Sequence, residues 1–289
     1  MKRRKWHKNL IIALTLVFLY FPIFVLVLFS FNKSSLNIRW EGFTFYWYKE
    51  LFSNTELLEA FFNTMLVGIT STVVSVIIGT ISAVALYKYS FRFKTLINSL
   101  LYIPIVIPEV VLGISLLSIY TLFKMELGMG SLILSHIAFS IPFVVINVRS
   151  ALAQTNPHLE EAAHDLGAGR LTTFFQVLLP TIMPGVKSGA LLAFTLSLDD
   201  VIISYFTAGP GSNTLPLKIF SMIKTGITPD VNALSTLMLM TTLVILTVYS
   251  LINYRKTNRG QEQWKRRYYC FWLSVLPYVV VLKLNPEKN

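Results

Sequence analysis

The chain has 289 residues, of which 54% are hydrophobic and 13% are charged, with a formal net charge of +11. This balance excludes an ordinary soluble domain and predicts a membrane protein. The single cysteine, Cys270, excludes an intramolecular disulfide framework and C-x-x-C metal ligands. The basic residues separate apolar segments instead of covering one folded face, so no nucleic-acid partner is expected.

Six segments of the sequence are long and apolar enough to span a bilayer, which takes about 20 mostly apolar residues each. In chain order they are Leu10–Phe31, Phe61–Leu86, Leu96–Phe123, Ser131–Val148, Val186–Thr207 and Asn232–Asn253. The first follows the basic leader 1–9 and lacks a small-x-small cleavage site, so it is expected to remain as a span. The pattern predicts one all-α, polytopic membrane domain over residues 10–253.

The distribution of positive charge predicts the orientation of the chain. With the N-terminus in the cytoplasm, 18 of the 25 Lys and Arg residues fall in cytoplasmic segments, eight of them in the tail. Because basic loops tend to stay in the cytoplasm, both termini are predicted to lie there. An odd number of spans would place the basic tail outside.

Three aromatic residues, Tyr46, Trp47 and Tyr48, precede the second span on its predicted outer side. Aromatic residues in this position commonly form an interfacial belt. Trp47 is also a candidate for attracting a cation, because aromatic faces hold ammonium groups.

Glu109 follows Pro108 inside the third span. A charged residue at the bilayer centre costs about 2.5 to 3.5 kcal/mol on insertion scales, which makes an intramembrane acid a candidate functional residue. Glu109 either lines a path through the membrane or caps a helix that restarts after Pro104 and Pro108.

The segment between the fourth and fifth spans, about residues 149–185, is expected to form two short helices. Asn156 and Pro157 predict a helix start and Gly167 a stop, which gives a helix over Pro157–Leu166. A second helix is predicted over Arg170–Leu178, ending before Pro180. The hairpin either lies against its own membrane domain or presents a surface to a cytoplasmic partner.

Asp199 and Asp200 are adjacent in the fifth span. At 1.5 Å of rise per residue, Glu109 and Asp199 each lie about 20 Å beyond the start of their spans, so the acids are predicted to share one layer. With no Lys or Arg inside the spans to neutralise them, the counter-ion is expected to be a cationic cargo. Adjacent helical residues point about 100° apart, and one aspartate can instead bind backbone N–H groups. Ser197 is expected to support Asp199, and His136 to be a hydrogen-bonded packing residue.

The outer segment from Ala208 to Pro229 is a candidate gate or a surface for a substrate-delivery protein. The tail after residue 253 is basic and contains a 15-residue apolar stretch, Tyr268–Leu282. That stretch is short for a span, so an interfacial segment or an extension without a transport role is expected, with a seventh span as the alternative.

The loop between spans four and five carries a recognisable spacing: Glu161-Ala162-Ala163, three residues, Gly167, nine residues, Val177, one residue, Leu179-Pro180. This resembles the EAA loop of ABC importer permeases, with Val177 in place of the usual Ile. The resemblance covers most of the chain, is closest to the spermidine/putrescine permeases, and does not reach Trp264–Asn289. The stretches that carry it are Thr44–Tyr48, Ala83–Phe91, Leu159–Gly167, Phe194–Val201, Leu215–Ile219 and Val231–Leu234.

The resemblance implies a type I importer architecture in which the EAA helix seats in a groove of an ATP-hydrolysing subunit. It implies two ATPase copies that hold ATP and Mg, a second related permease, an external polyamine-binding protein, and no catalytic residue, cofactor or metal on this chain. The residues implied in ATPase coupling are Glu161, Ala162, Ala163, Gly167 and Pro180. The candidate substrate path consists of Glu109, Asp199, Asp200, Ser197 and Trp47.

Other functions remain open from the residues alone. An importer for another cation, such as ferric ion or a cationic amino acid, would use the same acids. A cation channel would explain the acids but not the EAA spacing. An intramembrane enzyme is disfavoured because the sequence contains no G-x-G-D, H-E-x-x-H or P-loop pattern.

Overall fold

The computed structural model describes residues 2–34, 39–225 and 229–257. These residues form twelve α-helices and one π-helical turn, with an isolated antiparallel bridge between Asn32 and Phe43. The helices are α1 (Lys2–Phe29), α2 (Tyr46–Ser53), α3 (Thr55–Lys88), α4 (Lys94–Val106), α5 (Glu109–Leu122), α6 (Met129–Leu152), α7 (His158–Asp165), α8 (Arg170–Thr173), α9 (Leu179–Asp199), α10 (Ile202–Thr207), α11 (Leu215–Thr225) and α12 (Pro229–Thr257). The π-helical turn, Phe174–Leu178, joins α8 to α9.

The all-α, multi-span prediction is confirmed. Five helical stretches among the described residues are long and apolar enough to cross a membrane, and six if the bent pair α4 and α5 counts as one crossing. The second predicted span is shorter than its helix, since α3 begins six residues before Phe61. Asn54 causes that early start, because its side chain accepts from the backbone N–H groups of Glu56 and Leu57.

Helices α3, α6 and α9 pack against one another and form the core of the first compact unit. Small residues allow this close approach, as is common between membrane helices. A Cβ atom at Gly79 of α3 would lie 2.8 Å from Val144 of α6, and one at Gly185 of α9 would lie 2.5 Å from the Ala151 side chain. Substituting either glycine would therefore force these helices apart.

The third predicted span is not one straight helix. Helices α4 and α5 meet at Ile107 and Pro108 with a bend of 116°. Proline lacks the N–H that a continuous helix needs and disfavours helical backbone in the preceding residue, which explains the break. The estimate that placed Glu109 about 20 Å beyond Leu96 assumed a straight helix and is wrong for this span.

The second loop helix also differs from the prediction. It does not end before Pro180: α8 continues through the π-helical turn into α9, and the helical stretch runs from Arg170 to Asp199. Pro180 directly follows the π-helical turn in this continuous stretch, and its missing N–H leaves one backbone bond to the preceding turn unmade. The amide of Leu179 closes the π-helical turn by bonding the Phe174 carbonyl.

The chain divides into two compact units, residues 1–236 and 237–289. The second unit contributes the remainder of α12, which covers the predicted sixth span and ends at Thr257. The apolar stretch Tyr268–Leu282 and the other tail residues beyond 257 lie outside the described residues.

Candidate functional site

The fifth predicted span breaks at its two aspartates. Asp199 is the last residue of α9, Asp200 has extended backbone with φ −65° and ψ 126°, and α10 begins at Ile202. The Asp200 carboxylate accepts from the backbone N–H groups of Ile203 at 3.2 Å and Ser204 at 2.8 Å, and from the Ser204 hydroxyl at 2.7 Å. Asp200 is therefore the aspartate that binds backbone N–H groups, and it caps α10 from a buried position.

Asp199 and Glu109 form the accessible part of the site. Both are exposed, and Glu109 lies in the first turn of α5, which packs against α10. The Asp199 carboxyl group interacts electrostatically with the carboxyl groups of Asp200 and Glu109. Helices α5 and α10 approach closely because Gly113 has no side chain, since a Cβ there would lie 2.6 Å from the Phe206 ring. The break in one span and the bend in another thus place the acids at the ends of neighbouring helices.

These acids have no Lys or Arg partner within the part of the chain that the structure describes. None of the ion pairs there joins a Lys or Arg to Glu109, Asp199 or Asp200. A cluster of carboxyl groups among membrane-spanning helices, without a protein cation, is costly unless another positive charge binds. The arrangement can hold a cation that carries more than one positive group.

Ser197, expected beside Asp199, instead bonds other residues. Its hydroxyl lies 2.7 Å from Nδ1 of His136 and 3.4 Å from the Ser71 hydroxyl. His136 Nε2 lies 3.1 Å from the Ser204 hydroxyl and 3.5 Å from the Asp200 carboxylate. His136 is a buried, hydrogen-bonded residue, and its partners belong to both sides of the α9–α10 break.

Trp47 lies away from these contacts, in a cluster of aromatic residues near the start of α2. Its indole N–H donates to the Asn32 carbonyl at 2.8 Å, and its ring contacts Tyr46 edge to face. The Tyr48 hydroxyl bonds Ser30 at 2.7 Å. Both bonds tie α2 to the segment that follows α1.

Helix α7 reproduces the predicted loop helix to within one residue at each end. The backbone N–H of His158, the first residue of α7, donates to Oδ1 of Asn156 at 3.1 Å. At the other end, Gly167 follows the helix with a left-handed backbone, φ +84°. The Ala168 amide then bonds the Ala163 carbonyl at 3.0 Å, as in a glycine-terminated helix. Ala163 is buried, whereas Glu161 and Ala162 are exposed.

The loop helix is held to its own domain by an ion pair that the sequence analysis missed. Glu160 bonds Lys88, the last residue of α3, and both side chains are about three-quarters buried, at 28% and 23% exposure. Glu161 instead pairs with His158 at 2.8 Å on the exposed side. The two neighbouring glutamates therefore face different surroundings.

An apolar surface remains exposed around α7 and α8. Leu166 is 89% exposed, Leu171 75% and Phe175 59%. Together with the exposed Leu159, these side chains define what we call the loop surface. Exposed apolar groups on a polar helical hairpin are typical of interaction sites.

The opposite end of α3 anchors the segment that follows α10. Asn63 donates to the carbonyl groups of Gly211 and Asn213, each at 3.1 Å, and Thr64 accepts from the Leu215 amide at 2.7 Å. Lys218 of α11 pairs with Glu56 at 2.6 Å. The predicted gate segment is thus fastened to α3 at several points.

The site also shows what the sequence could and could not signal. Asp200 and Ser204 stand four residues apart, a spacing that permits side-chain capping, so this bond had a local signal. His136 contacts Ser197 and Ser204, which lie 61 and 68 positions away in the chain. No local sequence pattern could have predicted these two contacts.

The chain is similar to known proteins in both its sequence and its fold. The family described as "Binding-protein-dependent transport system inner membrane component" matches residues 75–256. The chain is 43% identical over 240 residues to the spermidine/putrescine transport system permease protein PotC of Escherichia coli K12, covering 83% of this chain and 91% of that protein. It is 38% identical over 244 residues to the putrescine transport system permease protein PotI of the same strain, covering 82% and 86%.

The fold is similar to those of solved membrane transporters. A chain of a bacterial ABC transporter involved in the import of the acidic polysaccharide alginate aligns with a TM-score of 0.69 at 18% identity, covering 88% of this chain and 97% of that chain. A chain of the MetNI methionine ABC transporter, in an inward-facing conformation, aligns with a TM-score of 0.59 at 18% identity, covering 68% and 94%. At this identity the likeness concerns the fold.

Proposed function

The chain belongs to the family of binding-protein-dependent transport system inner membrane components, and on that premise we propose that it is the permease subunit of an ABC importer that carries polyamines into the cytoplasm. The observation that carries this proposal is the exposed pair Asp199 and Glu109, which has no Lys or Arg partner among the described residues. Spermidine and putrescine are polycationic near neutral pH, because their amines have lysine-like pKa values. Their ammonium groups can supply the charge that this acidic site lacks.

The loop surface is the proposed docking site for the ATP-hydrolysing subunit. Leu159, Leu166 and Phe175 provide exposed apolar area, and Glu161 provides an accessible charge. Ala162 permits close approach, Gly167 sets the end of α7, and Pro180 lies in the first turn of α9, which follows the π-helical turn. ATP and Mg would be held by that partner, and this chain would act as a transport subunit without its own catalysis.

The complete importer would contain two copies of the ATPase, a second related permease and an external polyamine-binding protein. The apolar part of α1, Leu10–Phe29, has no buried residue in its most apolar window and offers a surface for lipid or for the second permease. The polyamine relatives named above are themselves permease proteins of transport systems.

We propose a bacterial inner-membrane location with both termini in the cytoplasm. This orientation requires the bent pair α4 and α5 to cross the membrane once, which gives six spans. It places α7 and the basic leader 1–9 on the cytoplasmic side, in agreement with the distribution of positive charge. Residues 10–253 would form the permease domain, and the basic residues from 254 onwards a cytoplasmic tail. ATP-driven movement of α7 would open the acidic site alternately to the two sides.

Uptake by the assembled importer in proteoliposomes tests this function. We expect spermidine or putrescine to accumulate when ATP, the ATPase subunit and the binding protein are all present. Arginine and ferric ion serve as the comparison cargoes, because each would suit an acidic path. Accumulation without ATP would contradict the importer mechanism, and preference for arginine or ferric ion would contradict the polyamine assignment.

The Lys88–Glu160 ion pair gives a prediction about coupling. Because Glu160 lies on the loop helix and Lys88 ends α3, Lys88→Glu should weaken the hold of the domain on α7. A partly buried pair contributes about 1 kcal/mol, so ATP-driven uptake should fall about five-fold. Exchanging both residues, Lys88→Glu with Glu160→Lys, should restore most of the uptake.

The matched control is Lys94→Glu at the same end of the bundle, since Lys94 contacts the Tyr89 carbonyl rather than a carboxylate. Uptake by this variant should stay near that of the unmodified protein. If the exchanged double variant transported no better than Lys88→Glu alone, the ion pair would have no coupling role.

A further inference from the structure

A buried chain of hydrogen bonds connects three helices at the α9–α10 break. It runs from Ser197 of α9 through His136 of α6 to Ser204 of α10, and ends at Asp200; Ser71 of α3 lies beside Ser197 at 3.4 Å. His136, Ser71 and Ser204 are each fully buried, and Ser197 is 3% exposed. Polar groups buried to this degree are stable only when they are bonded, so the geometry of the chain is tightly specified.

The partners of His136 determine which of its nitrogens carries the proton. The Ser204 hydroxyl donates to the Asp200 carboxylate. Ser204 Oγ must then accept from His136 Nε2, which makes Nε2 the protonated nitrogen. Nδ1 of a neutral imidazole is left as an acceptor for the Ser197 hydroxyl. The donor directions are consistent from Ser197 through His136 and Ser204 to Asp200, whereas the Ser71 hydroxyl donates to the Val67 carbonyl at 2.6 Å and lies 3.4 Å from Ser197.

The two serines lie on opposite sides of the break. Ser197 belongs to the last turn of α9, and Ser204 belongs to α10. Because one imidazole bonds both, it fixes the end of one helix relative to the start of the next. Asp199 ends α9 directly at this break, so the direction of its side chain depends on the backbone that His136 holds.

We propose that His136 is a positioning residue for cargo binding: it joins the two sides of the α9–α10 break and thereby holds the Asp199 carboxylate towards the cargo. This inference rests on the proposed function, because Asp199 must itself meet the cargo. An apolar side chain could fill the same volume, so the polar bridge indicates a requirement for defined geometry rather than for packing.

Three substitutions of His136 distinguish its bond to Ser197 from its bond to Ser204. His136→Leu keeps bulk and removes both bonds. His136→Gln places an amide near the position of Nε2 and can keep the bond to Ser204, whereas His136→Asn mimics Nδ1 and can keep the bond to Ser197. The matched control is Ser135→Ala, which removes a buried hydrogen bond of the neighbouring residue to Tyr120 at 2.7 Å without touching the break.

The measurement is the concentration dependence of spermidine uptake by the reconstituted importer. His136→Leu should raise the half-saturating spermidine concentration about ten-fold, with a smaller effect on the maximal rate. His136→Gln and His136→Asn should fall between the unmodified protein and His136→Leu. Ser135→Ala should leave the half-saturating concentration unchanged.

A double-variant comparison distinguishes this inference from the proposed function. If His136 acts through Asp199, adding His136→Leu to Asp199→Asn should produce little further loss of affinity. Independent, multiplying effects would overturn the positioning role. An unchanged half-saturating concentration in His136→Leu, with a clear loss in Asp199→Asn, would overturn this inference alone. No loss in Asp199→Asn would overturn the acidic path as well. If His136→Leu fails to assemble, normal affinity in both the Gln and the Asn variant would overturn the role.

Discussion

Replacing Asp199 by Asn and Glu109 by Gln together should reduce spermidine uptake by more than a hundred-fold at low cargo concentration. Each substitution keeps the size of the side chain but removes a charge that would pair with an ammonium group. A hydrogen bond to a charged group contributes about 1.5 to 3 kcal/mol, which corresponds to about ten- to 150-fold per contact. Initial rates of radiolabelled spermidine uptake in proteoliposomes would measure the loss.

The single variants and a control make this expectation specific. Each single substitution should have a smaller effect than the pair, because the other carboxylate remains. Glu126→Gln changes an exposed glutamate between α5 and α6, and should leave uptake near normal. The acidic path would be wrong if the double variant transported spermidine as well as the Glu126 variant does.

Gly167→Val should uncouple the importer, because Gly167 has φ +84° and a β-branched residue does not readily adopt that backbone conformation. No heavy atom outside the glycine and its chain neighbours lies within 4 Å of a Cβ built there, so backbone strain is the expected cause. Strain of about 1 to 2 kcal/mol would favour unwinding of the last turn of α7 and lower ATP-driven uptake about five- to 30-fold. Co-purification of the ATPase subunit should fall in parallel.

Two comparison variants isolate the backbone effect at Gly167. Gly167→Asn should retain most of the activity, because asparagine tolerates the left-handed region better than other residues. Gly169→Val adds the same side chain two positions away, where φ is −69° and a Cβ would also meet open space. Equal losses in Gly167→Val and Gly169→Val would contradict a role for the turn conformation.

Local patterns in the sequence account for much of the fold. The apolar stretches predicted the long helices α3, α6 and α12, and Asn156 with Gly167 predicted the bounds of α7. Pro108 indicated a disturbance, but a proline alone cannot distinguish a mild kink from a bend of 116°. That angle depends on how α5 packs against α10, which is a long-range contact.

The candidate site was harder to predict because its contacts join distant parts of the chain. Membrane depth identified Glu109, Asp199 and Asp200 as unusual, but left open which aspartate would be buried. The capping of α10 assigned that role to Asp200. Likewise, Glu160 and Glu161 are indistinguishable in sequence, yet Glu160 bonds Lys88, 72 positions away, and Glu161 stays on the exposed side.

The π-helical turn at Phe174–Leu178 sets an angular register between the loop surface and α9. An α-helix advances about 100° per residue, and a π-turn accommodates one extra residue without breaking the helix. Deleting Gln176 would convert the turn to regular α-helix with one residue fewer, and both forms complete about one turn around the axis of α9. Helix α7 would then keep nearly the same direction, whereas a deletion within the regular helix of α9 would rotate everything before it by about 100°. The π-helical turn therefore allows the spacing between Gly167 and Val177 to differ by one residue without reorienting the loop surface.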